Sequence, residues 1–94
     1  MKGHAAANIL PIIASNRIGH EVAPGGRDLT FYGSSFICDH AGQILAKASR
    51  DREEVITASF DLDQIADLRA SWGIFRDRRP ETYGAVATQD GLLR

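Results

Sequence analysis

One stretch of this chain reads as a complete amphipathic helix while four read as strands, and that imbalance limits what it can fold into. The helix is "DLDQIADLRASW", predicted over residues 62–70. Asp61 is placed to cap it, and Gln64 three residues on completes a capping-box-like pair. Leu62, Ile65, Ala66 and Leu68 give it an apolar stripe at helical spacing. The first strand is "ILPIIAS", residues 9–15, short, apolar and β-branched, with Pro11 best placed near its start because proline cannot donate to a ladder. Residues 31–38 alternate imperfectly and read as a second strand, Asp39-His40-Ala41-Gly42 as a turn, and residues 43–48 as the return strand of a β-hairpin. "VITASFD", residues 55–61, alternates Val55, Thr57 and Ser59 against Ile56, Ala58 and Phe60 and reads as a further strand. A single helix cannot cover both faces of a four-stranded sheet. The expected fold is therefore mixed α/β (α+β), mainly strands, with part of its cover supplied by upstream sequence or by a partner.

The connecting segments sharpen this reading. Ala5-Ala6-Ala7 is helix-like but has no N-cap signal and almost no chain before it, as if the helix continued from a longer protein. Residues 1–94 are accordingly read as a single partial domain. "NRIGHEVAPGGRD", residues 16–28, carries three glycines and a proline and reads as a long loop, of the kind that is often functional. Residues 49–54 are a charged connection, and "GIFRDRRPETYG" after the helix is a basic, aromatic tail kept irregular by Gly73 and Pro80.

Composition excludes several classes. Ninety-four residues allow one small domain. A net charge of −1 argues against a general nucleic-acid binder, which needs a basic excess to neutralise phosphates. No apolar run approaches the roughly 20 residues needed to cross a bilayer. The start has no apolar signal-peptide core, and one cysteine forms no internal disulfide, which together fit a reducing cytoplasm.

The chemistry-bearing residues do not assemble into a site. Cys38 lies at a strand end two residues from His40, but that spacing need not bring the two side chains together, and small buried cysteines are common in strands. "YGSSF", residues 32–36, lacks the second glycine of a hydrolase nucleophile elbow. His4, His20 and His40 sit on three different elements with no metal-ligand spacing, and Pro24-Gly25-Gly26 lacks the frame of a phosphate loop. Neither a metal nor a cofactor is expected. In the tail, Trp72, Phe75, Arg76, Arg78, Arg79 and Tyr83 interleave rings with guanidinium groups. This is either a solvated face, with Asp77 pairing locally, or a surface that bonds a neighbouring subunit.

Four stretches nonetheless line up with a family: "GHAAANILPIIASNRIG", "LTFYGSSFI", "AGQILA" and "WGIFRDRRPETYG". Together they resemble the C-terminal third of N-carbamoylputrescine amidases, a branch of the nitrilase, or carbon–nitrogen hydrolase, superfamily. The resemblance implies an αββα sandwich, usually dimeric or larger. It also implies a reaction in which a cysteine thiolate attacks a carbamoyl carbon, a lysine stabilises the oxyanion and a glutamate acts as base, giving putrescine, carbon dioxide and ammonia. No residue here matches that Glu–Lys–Cys triad, which in the family lies upstream. Cys38 falls where relatives commonly carry a small residue, and His40 where proline is frequent.

On this reading the chain would be inactive alone. Its partners would be the N-terminal part of the same enzyme or another subunit, in a homo-oligomer acting on a carbamoyl amine. Asn16 and Arg17, at the end of the first strand, and Phe31 and Tyr32, entering the next, would support the substrate pocket, with Glu21 or Asp28 available to a substrate amine. The alternative is a non-catalytic module that self-associates or binds a protein through its sheet edge or its tail.

Overall fold

In a computed structural model, which describes residues 1–93, these residues form two α-helices and five strands. Helix α1 (Lys2–Asn8) leads into β1 (Ile12–Ala14). Strands β2 (Ile18–Ala23) and β3 (Arg27–Tyr32) follow, then β4 (Phe36–Cys38) and β5 (Ile44–Lys47). Helix α2 (Leu62–Trp72) precedes two short 3-10 turns at Pro80–Thr82 and Gly84–Ala87. The strands make an antiparallel three-stranded sheet in the order β1-β4-β5 and a separate two-stranded sheet, β2-β3.

The mixed class, the opening helix, the β4–β5 hairpin and α2 form as the sequence predicts. Pro11 stands immediately before β1, where its missing N–H costs no ladder bond. Asp39 builds the β4–β5 turn, its Oδ1 accepting from the Ala41 and Gln43 amides at 2.9 and 2.8 Å. Asp61 caps α2, its Oδ1 accepting from the Gln64 amide at 3.0 Å. Asp61→Ala is expected to lower stability by about 1 kcal/mol. The measurement is the urea midpoint followed by far-ultraviolet circular dichroism; an unchanged midpoint would show that the cap contributes nothing.

Three local expectations are corrected. Residues 16–28 are not a loop: most of them form the β2–β3 hairpin, in register from Ile18↔Tyr32 to Ala23↔Arg27. Its turn is built by Pro24 followed by Gly25 at φ 92°, with the Gly26 amide donating to the Ala23 carbonyl at 3.1 Å. Proline at the second position and a left-handed glycine at the third is a turn chemistry that reverses a strand. Residues 31–38 are not one strand: Gly33 and Ser34 take φ of 54° and 60°, which no strand accommodates, and the chain breaks between β3 and β4. Residues 55–61 belong to neither sheet. Their alternation reports β propensity, but a strand also needs a hydrogen-bonded neighbour, and these residues form no ladder. Val55 is 90% exposed.

The buried apolar residues among those described are Ala5, Ile9, Ile37, Cys38 and Ile65. The radius of gyration is 19.4 Å, against about 12 Å for a compact domain of this length. The molecule is a slab of 52 × 40 × 13 Å, and much of its apolar surface faces outward, including Ile13 (70% exposed) and Trp72 (69%). With so thin a core, burial gains little over chain entropy.

Candidate functional site

The two sheets meet at a polar junction where the chain crosses twice, at residues 15–17 and again at residues 33–35. Asn16 ties the crossings together. Its Nδ2 donates to the Gly33 carbonyl at 2.8 Å, and its Oδ1 accepts from the Arg17 amide at 2.9 Å. The Ser35 hydroxyl accepts from the Asn16 amide at 2.8 Å and donates to the Asn16 carbonyl at 3.2 Å. The Gly33 amide donates to the Arg17 carbonyl at 2.9 Å, and the Ser34 amide to the Ser49 carbonyl at 3.1 Å. A third passage, residues 49–54, braces the joint from behind. Its Ser49 amide donates to the Glu54 carboxylate, and that bond holds the Glu54 pKa below its ordinary value.

The β2–β3 hairpin projects from this junction as an arm. One of its faces carries Arg17, Glu21 and Phe31. The Arg17 guanidinium donates to Glu21 at 2.7 Å and lies 4.3 Å from the centroid of the Phe31 ring. The other face carries Tyr32, Asp28 and His20, whose Nδ1 is 3.0 Å from the Thr30 hydroxyl and whose Nε2 is 3.7 Å from Asp28. A groove of about 320 Å³ opens at the root of the arm, lined by Asn16, Tyr32, Gly33, Ser34, Phe36 and residues of the chain start and β1.

Of the four residues read as pocket support, Asn16 and Tyr32 line this groove, and Arg17 and Phe31 do not. Asn16 spends both polar ends of its side chain within the protein. Tyr32 lines the groove. Arg17 and Phe31 stack on each other on the face of the arm opposite Tyr32. Of the two carboxylates considered for an amine, Glu21 is already paired with Arg17. Sequence reasoning missed Ser35 and Ser49, which complete the joint. The signal was the small-residue run "GSS" interrupting an apolar alternation, a mark of close backbone approach.

The remaining candidates separate. Cys38 ends β4 fully buried, as a core residue. No group of three or more His, Cys, Asp or Glu among the described residues could hold a metal ion. In the tail the arginines are spent locally. Arg76 grips Asp77 through two bonds of 2.7 and 2.9 Å, Arg79 donates to Glu81 at 2.6 Å, and Arg78 sits 4.6 Å from the Phe75 centroid. These bonds hold the Asp77 and Glu81 carboxyls below their ordinary pKa. Trp72, Phe75 and Tyr83 remain exposed. No helix is long and apolar enough to cross a membrane among the described residues.

A mixed helix-and-strand layer with a braced polar joint and a buried cysteine is the class these observations define. Comparison with known proteins makes it specific. The carbon-nitrogen hydrolase family profile matches residues 1–70. An N-carbamoylputrescine amidase from Arabidopsis thaliana is 51% identical over 99% of this chain and 32% of its own length. A citrullinase from Francisella tularensis is 49% identical over 92% of this chain and 30% of its own. The crystal structure of a carbon-nitrogen hydrolase from Helicobacter pylori G27 superposes with a TM-score of 0.80 at 42% identity, over 94% of this chain and 31% of that one. The chain belongs to the carbon–nitrogen hydrolase family, and it spans about a third of the length of the relatives it matches.

Proposed function

We propose that this chain forms part of an amidohydrolase that cleaves N-carbamoylputrescine to putrescine, carbon dioxide and ammonia, a step of polyamine synthesis. The observation that carries the reading is 51% identity to an N-carbamoylputrescine amidase across 99% of the chain. In the proposed reaction a cysteine thiolate adds to the ureido carbon, a lysine stabilises the oxyanion, and a glutamate moves the protons. The bond to the terminal nitrogen breaks and ammonia leaves, giving a thiocarbamate on the cysteine; one water hydrolyses its C–S bond, and the released carbamic acid loses carbon dioxide to give putrescine. The nucleophile is supplied from outside the 94 residues, since the one cysteine present is buried in β4, and the lysine and glutamate are assigned to the same outside segment. This chain contributes one wall of the pocket, with Tyr32 and Asn16 at the groove. The exposed rings of the tail and the uncovered sheet face are where the rest of the enzyme, or a second subunit, packs.

Citrulline and N-carbamoylputrescine share a terminal ureido group and a distal amine, and differ by one carboxylate. Identity to a citrullinase at 49% therefore supports the ureido amine as the substrate class. The commitment to N-carbamoylputrescine rests on the 51% identity to the Arabidopsis amidase and on the groove lining, which contains no arginine or lysine side chain to receive an added carboxylate. The test replaces the matching third of the Arabidopsis relative with this chain and measures ammonia release from each compound. Turnover of N-carbamoylputrescine in preference to citrulline is expected. A folded chimera that preferred citrulline would overturn the substrate, and one with no turnover of either would overturn the function in favour of a non-catalytic module.

A further inference from the structure

We infer that Asn16 is a positioning residue that acts through the Gly33 carbonyl and the Ser35 hydroxyl to fix the angle of the β2–β3 arm. The inference rests on the proposed reading in one respect, that the arm carries pocket residues.

A two-stranded hairpin has little stability of its own. This arm is exposed along nearly its whole length on both faces, so no packing from the body of the molecule sets its direction. Its direction is set where it is rooted. There the two chain crossings are joined by one backbone bond, from the Gly33 amide to the Arg17 carbonyl, and otherwise through side chains: β1 ends at Ala14 and β4 begins at Phe36, so Asn16 and Ser35 lie just beyond the last paired residues of that sheet. Asn16 and Ser35 exchange a reciprocal pair of bonds, and the Asn16 amide group reaches 2.8 Å to the carbonyl of Gly33, the residue at which the chain turns. Ser34, a non-glycine residue at φ 60°, persists in this unfavoured conformation. Such a conformation survives only where its surroundings over-determine it. The bonded Nδ2 N–H and the Oδ1 of Asn16 are both engaged inside the joint, and through them the residue holds the turn at Gly33 and, next to it, Tyr32 in place.

Asn16→Asp keeps the shape and the acceptor for the Arg17 amide but sets an oxygen against the Gly33 carbonyl. Ser35→Ala removes the reciprocal pair, and Ser35→Thr keeps its hydroxyl. In the full chain, amide hydrogen exchange across residues 18–32 is expected to quicken about tenfold in Asn16→Asp and Ser35→Ala, with Ser35→Thr and the α2 amides unchanged. In the Arabidopsis chimera, the same two variants are expected to raise KM for N-carbamoylputrescine about tenfold while kcat stays within about twofold. Unchanged exchange in the arm would overturn the inference outright. Faster exchange with unchanged KM would overturn the link to the pocket. If the parent chimera has no turnover, the reading of function fails, and exchange alone still decides whether Asn16 holds the arm.

Discussion

Gly33→Ala is expected to cost about 3 kcal/mol and to release the arm from the sheet. Two effects add. The residue sits at φ 54°, where a side chain is strained by about 1–3 kcal/mol. An added Cβ would also lie 2.6 Å from Ile18 Cγ2, 2.8 Å from the Ser49 carbonyl oxygen and 2.9 Å from that of Arg50. Ile18 has a rotamer to give, but the two carbonyls belong to the backbone of the bracing passage and move only if residues 49–54 move with them. Forcing a methyl group into such a site costs a further ~1–3 kcal/mol. Urea unfolding measures the loss, and amide exchange across residues 18–32 measures the release. An alanine that left both unchanged would mean that the joint is looser than this geometry requires.

Ile37→Ala is expected to cost a similar amount, about 3 kcal/mol, for a different reason. Ile37 is 5% exposed at the centre of β4, the middle strand of its sheet, with Ile13 and Ala46 as its register partners. Removing a buried isoleucine forfeits its transfer energy and leaves a cavity, typically ~2–5 kcal/mol together. A small domain has about 5–15 kcal/mol in total, and one with so few buried apolar residues lies at the low end. Ile37→Ala should therefore abolish cooperative unfolding of the isolated chain. Ile13→Ala, across the ladder but 70% exposed, serves as the control and should change stability by less than about 0.5 kcal/mol. If Ile13→Ala proved as damaging as Ile37→Ala, the outward face of β1 would be covered in solution.

What the sequence revealed and what it hid follow one physical division. Helix α2 was legible because its signals are local: the Asp61 cap, the apolar stripe and the Gly73 stop all act within the helix. The β4–β5 hairpin was legible for the same reason, since Asp39 and Gly42 make its turn. The β2–β3 hairpin was hidden because three glycines and a proline mark a loop and a turn equally well. Only the flanking alternation, Ile18, His20 and Val22 against Leu29 and Phe31, tells them apart. Residues 55–61 misled in the opposite direction, for their alternation promised a strand, and they pair with neither sheet. Of the candidate site, the apolar and charged members were named by their position beside strand ends. Ser35 and Ser49 were not, because a serine carries no signal until the backbone it bonds has been placed.

The central claim is that this chain shapes a ureido-amine hydrolase while the bond-breaking groups come from outside it. Ammonia release from N-carbamoylputrescine by the purified 94-residue chain tests that most directly. The account predicts release no faster than the protein-free blank, with Cys38→Ala indistinguishable from the parent. Turnover by the chain alone, abolished in Cys38→Ala, would contradict it and make the buried thiol of β4 the nucleophile.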